Sequence, residues 1–167
     1  DVRLTRPEDQ PVSLQDRSAL GVGADLFVSL HTHPSSDGSV AVYYLEDAAG
    51  LTELDLAIRT NARSELQGAG RTAEDETAAL RRRILLNLIP DLDVGRRFAQ
   101  GVQSELFTRA GVRVADPVGA PLSVLAGAAG RGLLLEVPPQ VAQDASFGEA
   151  LAQTLVSLLQ SRQTAFR

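Results

Sequence analysis

The chain of 167 residues has no cysteine, no methionine, no tryptophan and no lysine, so arginine carries all of its fixed positive charge. Without cysteine, no disulfide, thiolate nucleophile or cysteine-bound zinc site can form. Aromatic residues make up 4% and the net charge is −5. That combination offers neither a stacking platform nor a basic stripe, and no nucleic-acid partner is expected. No run of about 18 apolar residues occurs, so no transmembrane segment is expected. A Gly-x-Ser-x-Gly elbow, a Walker loop and a dinucleotide fingerprint are all missing, which disfavours serine hydrolases and nucleotide binders. The absence of methionine, with a start at Asp1 inside a strand-like stretch, leads us to expect a piece of a longer product. What is present is a 44% apolar composition, enough for one domain with a real core over residues 1–167.

In chain order, residues 1–5 alternate polar and apolar and read as a strand, with Val2 and Leu4 on one face. Ser13 and Asp16 have capping-box spacing, which predicts a helix over 14–20 that ends at Gly21 or Gly23. Residues 26–30 form a continuous apolar run broken only by Ser29, as in a strand buried on both faces. Residues 39–45 read as a strand with Val40, Val42 and Tyr44 on one face. Residues 51–66 read as a helix with the stripe Leu54, Ile58, Ala62 and Leu66, stopped by Gly68 and Gly70. A second helix spans 72–88 with acidic residues first and Arg81, Arg82 and Arg83 later, as the helix dipole favours. Its stripe is Leu80, Ile84 and Leu88, and Pro90 ends it. The arginine triplet reads as a solvated face rather than an anion site.

Asp93 is expected to cap a third helix with the stripe Val94, Phe98, Val102 and Leu106, closed by Gly111. Residues 112–114 read as a short strand, 116–121 as a loop and 127–132 as a flexible segment. Residues 133–136 form a strand that ends on Glu136, and Pro138 and Pro139 forbid its continuation. Ser146 and Glu149 repeat the capping-box spacing before a C-terminal helix striped by Phe147, Leu151, Leu155 and Leu159. Short strands interleaved with helices predict an α/β fold. The expected form is a three-layer sandwich with an open, mostly parallel or mixed sheet flanked by helices.

Only two histidines occur, His31 and His33. His31 follows a short apolar strand, and ligands of open α/β sheets bind outside the carboxyl ends of strands. A histidine there can equally be a capped core residue. Glu136 ends a second such strand. If the two strands are parallel, both side chains meet at one edge. A histidine metal ligand and a glutamate base would then make a hydrolase site, the metal lowering the pKa of water and the carboxylate taking its proton. His33, two residues after His31, could share a metal with it, although Pro34 suggests that the strand has ended. A barrel amidohydrolase needs about 250 residues, more than this chain has.

The order of these elements resembles the zinc-dependent N-acetylmuramoyl-L-alanine amidases, cell-wall hydrolases that cut between N-acetylmuramic acid and L-alanine. The resemblance runs through Val2-Arg3-Leu4-Thr5-Arg6, Asp9, Val12, Leu14, Arg17 and the stretch from Ala24 to His31. It continues through the tyrosine-containing strand 39–44, Phe98-Ala99, Gly111-Val112-Arg113, Val124-Leu125, the strand ending on Glu136, and Leu151-Ala152. It implies one zinc ion held by His, Glu and His, with His31 as the last of these ligands. Glu136 is implied as the residue that activates water, and Arg17 and Asp25 as structural buttresses. The substrate would be peptidoglycan and the site of action extracytoplasmic: periplasm, cell wall or secreted.

The departures from the family are equally specific. The strand and helix that carry the first two ligands would lie before Asp1, so the remaining zinc ligands are expected outside this chain. An exposed sheet edge is the expected result. His33 stands where asparagine is common, which makes it a candidate substrate contact. Residues 137–139 replace a Gly-Phe and an asparagine. Residues 72–93 are a candidate helical insertion, with Glu74 or Glu76 as blocking carboxylates that an activator protein would displace. The alternative reading is an inactive amidase-like domain that binds cell wall or a protein partner.

Overall fold

The strand Gly132–Val137 lies inside the sheet and is its most deeply buried member. The computed structural model describes residues 1–6, 8, 12–35, 37–62 and 72–165. Among them are four strands: β1 (Phe27–Thr32), β2 (Ala41–Leu45), β3 (Val118–Ala120) and β4 (Gly132–Val137), in the spatial order β1-β4-β2-β3. β1 runs parallel to β4, β2 antiparallel to β4, and β3 parallel to β2. The sheet is therefore mixed. The helices are α1 (Leu14–Leu20), α2 (Leu51–Ala62), α3 (Ala73–Leu85), α4 (Leu92–Ala110), α5 (Pro139–Ala142) and α6 (Ala145–Ala165), with a 3-10 helix at Ser123–Ala128.

Alternation along the strands divides the core in two. On one face Val40, Val42, Tyr44, Leu133, Leu135 and Val137 pack against Val94, Phe98, Val102 and Leu106 of α4 and Phe147 and Leu151 of α6. On the other, Phe27, Leu45 and Leu134 meet Ala57 of α2, Leu80 and Ile84 of α3, and Leu122, Val124, Leu125 and Ala128 around the 3-10 helix. Helices on both faces of one mixed sheet make the three-layer α/β sandwich that the sequence pattern predicts. Leu133, Leu134 and Leu135 are at most 1% exposed, and each such side chain contributes roughly 1.5–3 kcal/mol.

Several expectations are corrected. Residues 1–6 pair with no strand, and Val2 and Leu4 are exposed, because no ladder partner meets them. Among the described residues the strand with His31 lies at an edge of the sheet, as expected, with β4 on one side, but it is not buried on both faces, since Leu30 is 57% exposed. The continuous apolar run does not distinguish these cases. In α2 the buried positions are Ala57 and Asn61, one step off the expected stripe, and Ala62 is exposed. Asn61 wins its place by hydrogen bonding. Its Nδ2 donates to Thr77 Oγ1 at 2.8 Å and to Pro121 O at 3.2 Å, and its Oδ1 accepts from Ser123 N at 2.9 Å. It ties α2, α3 and the 3-10 helix together. Leu66, Gly68 and Gly70 lie outside the described residues.

α3 begins at a Thr72–Asp75 capping box and stops at Leu85, before Pro90. Asn87 turns left-handed (φ 53°), so Leu88 leaves the stripe and Ile89 is buried instead. Arg81 is paired with Asp47 at 2.5 Å, while Arg82 and Arg83 are exposed. α4 starts after Asp91 rather than Asp93, and the Asp91 carboxylate binds Arg131 instead of capping. α6 is preceded by Asp144, whose Oδ1 accepts from Ser146 N and Oγ, so Ser146 is not the cap. Residues 112–114 reduce to a single bridge, Val40 with Val114, and the expected loop at 116–121 contains β3. The glycine-rich 127–132 segment is packed. A Cβ on Gly127 would lie 1.8 Å from Ser18 O, and Gly127 N donates to Ser18 Oγ.

Candidate active site

β1 and β4 are parallel and in register, and His31 is the direct partner of Glu136. Neighbouring strands lie about 4.8 Å apart, and paired residues project to the same face. The two side chains therefore stand side by side near the carboxyl end of both strands. The register is fixed from the opposite face. Leu133, Leu135 and Val137 are buried against α4 and α6, and a one-residue slip would drive Glu136 into that core. Pro138 ends the strand and opens α5 at Pro139.

Two hydroxyls flank the pair. Ser29 lies one alternation before His31, is 8% exposed, and has its Oγ 3.3 Å from His31 Nε2. Tyr43 comes from the other side. In the antiparallel β2–β4 ladder Ala41 is opposite Glu136 and Tyr43 is opposite Leu134. Tyr43 is thus diagonal to Glu136, a separation within reach of an aromatic side chain. The small Ala41 side chain leaves the path open, and Tyr43 Oη donates to Glu136 Oε2 at 3.2 Å. Burial, then the Glu136 charge and hydrogen bond, push the Tyr43 phenol up to about 12. It therefore remains a donor throughout the neutral range. Tyr44 points to the opposite face, where its ring lies 5.9 Å from the Arg96 guanidinium carbon.

The rim is formed by the β1–β2 connection and the start of α5. His33 N donates to Val137 O at 3.0 Å, which extends the ladder one step beyond β1. His33 is half-buried. Beyond it, Asp37 Oδ1 accepts from Ser35 Oγ, Ser39 Oγ and Ser39 N at 2.6, 2.7 and 3.1 Å. The Ser35 and Ser39 hydroxyls, then the Ser39 amide, hold this carboxyl well below the usual carboxylate range. Gly38 turns at φ 72°, and its vacant Cβ position lies 3.9 Å from Gln140 Nε2.

The strand order brings His31 and Glu136 together. It does not assemble a complete metal centre: among the described residues no three histidine, aspartate, glutamate or cysteine side chains are grouped to hold a metal ion. His33, Glu74 and Glu76 therefore do not complete a ligand set with His31. Glu74 is exposed and Glu76 half-buried on α3, whose buried positions are Ala73, Thr77, Leu80 and Ile84. Arg17 Nε donates to Val12 O at the entry to α1, and Asp25 is exposed just before β1. Ser29 and Tyr43 are not among the site candidates of the sequence. Alternation could have found both: Ser29 is two residues from His31, and a core-facing Tyr44 turns Tyr43 toward the histidine face.

Among the described residues no helix is long and apolar enough to cross a membrane. Two solved structures have the same fold. One is an N-acetylmuramoyl-L-alanine amidase from Clostridium difficile 630, at 19% identity and a TM-score of 0.56, over 95% of this chain and 69% of that one. The other is the catalytic domain of CwlV, an N-acetylmuramoyl-L-alanine amidase from Bacillus (Paenibacillus) polymyxa var. colistinus. It matches at 17% identity and a TM-score of 0.55, over 98% of this chain and 73% of that one. No curated protein sequence matches. Residues 1–138 match the family described as N-acetylmuramoyl-L-alanine amidase. The chain belongs to the N-acetylmuramoyl-L-alanine amidase family.

Proposed function

We propose that the protein hydrolyses the amide between N-acetylmuramic acid and L-alanine in peptidoglycan, outside the cytoplasm, with Glu136 as general base. The observation that carries this reading is the register of His31 with Glu136 at one sheet edge, in a chain of this family. Glu136 Oε2 accepts from Tyr43 Oη, and in this reading its carboxylate takes a proton from water. That water adds to the lactyl carbonyl carbon. The C–N bond then breaks, and the proton passes from Glu136 to the departing alanine nitrogen. A positioned base of this kind contributes about 10²–10⁴-fold.

His31 is proposed as one ligand of a zinc ion, which when bound lowers the pKa of water toward neutrality. A catalytic zinc takes three protein donors, and the described residues do not gather three. The ion does not fit the described residues alone, so the proton path above runs through Glu136 only. The same observation favours a second reading, an amidase-like domain that binds cell wall or a protein partner without catalysis. Metal analysis of the purified full-length protein separates the two. Stoichiometric zinc that is lost in His31→Ala, together with peptide release from peptidoglycan, supports the enzyme. A folded full-length protein with neither zinc nor peptide release supports the binding domain.

A further inference from the structure

We propose that Tyr43 is the positioning residue for Glu136, its phenol fixing which carboxylate oxygen faces the substrate. This rests on the reading of Glu136 as general base. Glu136 sits near the end of β4, where the strand has one more residue before Pro138. A glutamate there has three rotatable bonds, with the small Ala41 opposite it on β2 and His31 beside it on β1. Tyr43 Oη donates to Glu136 Oε2 across the ladder. The tyrosine is itself well fixed: its ring packs at the edge of the second core cluster, with Leu134 opposite it on β4. The phenol thus transmits the rigidity of the sheet to a carboxylate that the backbone alone would leave mobile.

Two effects of the phenol oppose each other. A hydrogen bond to the ionised carboxylate lowers its basicity, so losing it would make Glu136 a slightly stronger base. It also holds the acceptor oxygen in line, and a displacement of about 1 Å can cost 100-fold in rate. The second effect is the larger, and positioning decides the outcome. At 3.2 Å the bond is long for a hydroxyl on a carboxylate, as catalytic hydrogen bonds without substrate commonly are before they tighten around it.

The test compares wild type, Tyr43→Phe, Glu136→Gln and the double variant of the full-length protein on purified peptidoglycan. Tyr43→Phe is expected to lower kcat about ten-fold, the lower end for a hydrogen bond to a charged group, and to leave KM within about two-fold. In the Glu136→Gln background the same substitution should change nothing further, since Tyr43 acts through Glu136. A merely structural tyrosine would lower activity equally in both backgrounds. A second measurement needs no change at Tyr43. The tyrosines of this chain are Tyr43 and Tyr44, so fluorotyrosine labelling puts a fluorine reporter at each of them. Glu136→Gln should move the Tyr43 signal and leave the Tyr44 signal in place. Full activity in Tyr43→Phe, or an unmoved Tyr43 resonance, overturns the proposal while leaving Glu136 as the base. Full activity in Glu136→Gln overturns the reading of Glu136 and the Tyr43 proposal with it.

Discussion

The two faces of the sheet are made by the same strands and do different work. Toward α4 and α6, the buried residues of the two inner strands and the bridge beside them are Val40, Val42, Tyr44, Leu133, Leu135 and Val137. Toward α2, α3 and the 3-10 helix, the apolar residues Phe27, Leu45 and Leu134 give way near the strand ends to Ser29, His31, Tyr43 and Glu136. Tyr43 and Tyr44 are adjacent and show the division most directly. One donates to Glu136, and the other lies against Arg96. Packing on the first face sets a register, and that register makes the polar groups of the second face meet. The site depends on residues that never touch it.

This comparison can be broken from either side. The largest stability effect is expected from Leu135→Ala. Leu135 is wholly buried between the sheet and its helices, and the loss should be about 3 kcal/mol in urea unfolding. Activity should fall with the folded fraction. Unchanged stability would mean that this face does not hold the register. Gly127→Ala comes next, at about 2 kcal/mol, because the new Cβ would meet the Ser18 carbonyl of the backbone. Gly101→Ala on the first face should cost less, since its Cβ meets the end of the Leu158 side chain, which can turn away. Equal melting temperatures for the two variants would contradict this.

A pH dependence is confined to alkaline conditions. Tyr43 is raised from 10.0 to about 12 in the folded protein, by burial first and by Glu136 second. Its contribution to stability is therefore complete below pH 10 and is lost as pH rises from 10 toward 12. Tyr44 is also raised, by burial and then Glu46, so Tyr43→Phe should flatten the decline without abolishing it. An unchanged slope across pH 10–11.5 would remove Tyr43 from the balance.

The sequence was most legible where one interaction dominates. Val94, Phe98, Val102 and Leu106 fall on one helical face, and all are buried. Gly111 closes that helix in the left-handed conformation the reading requires. Ser13 caps α1 as its spacing predicts. Legibility failed where the outcome depended on a distant partner. Asn61 is polar, so periodicity placed it outside the stripe, yet three hydrogen bonds bury it. β3 is three residues long and gains its identity from the ladder that β2 offers. β1 reads as buried on both faces because a continuous apolar run does not show which of its side chains lacks a packing partner, here Leu30. The pairing of His31 with Glu136 was expected only on condition that their strands were parallel neighbours, and the strand order supplies that condition. Alternation turns Tyr43 toward the histidine face, but its partner Glu136 arrives from a strand much later in the chain.

The most direct measurement is the rate of peptide release from peptidoglycan by the full-length protein and by its Glu136→Gln variant, with the melting temperature of both. The expected result is a loss of about 10³-fold with melting temperatures that agree. A Glu136→Gln protein that releases peptide at the wild-type rate would contradict the account.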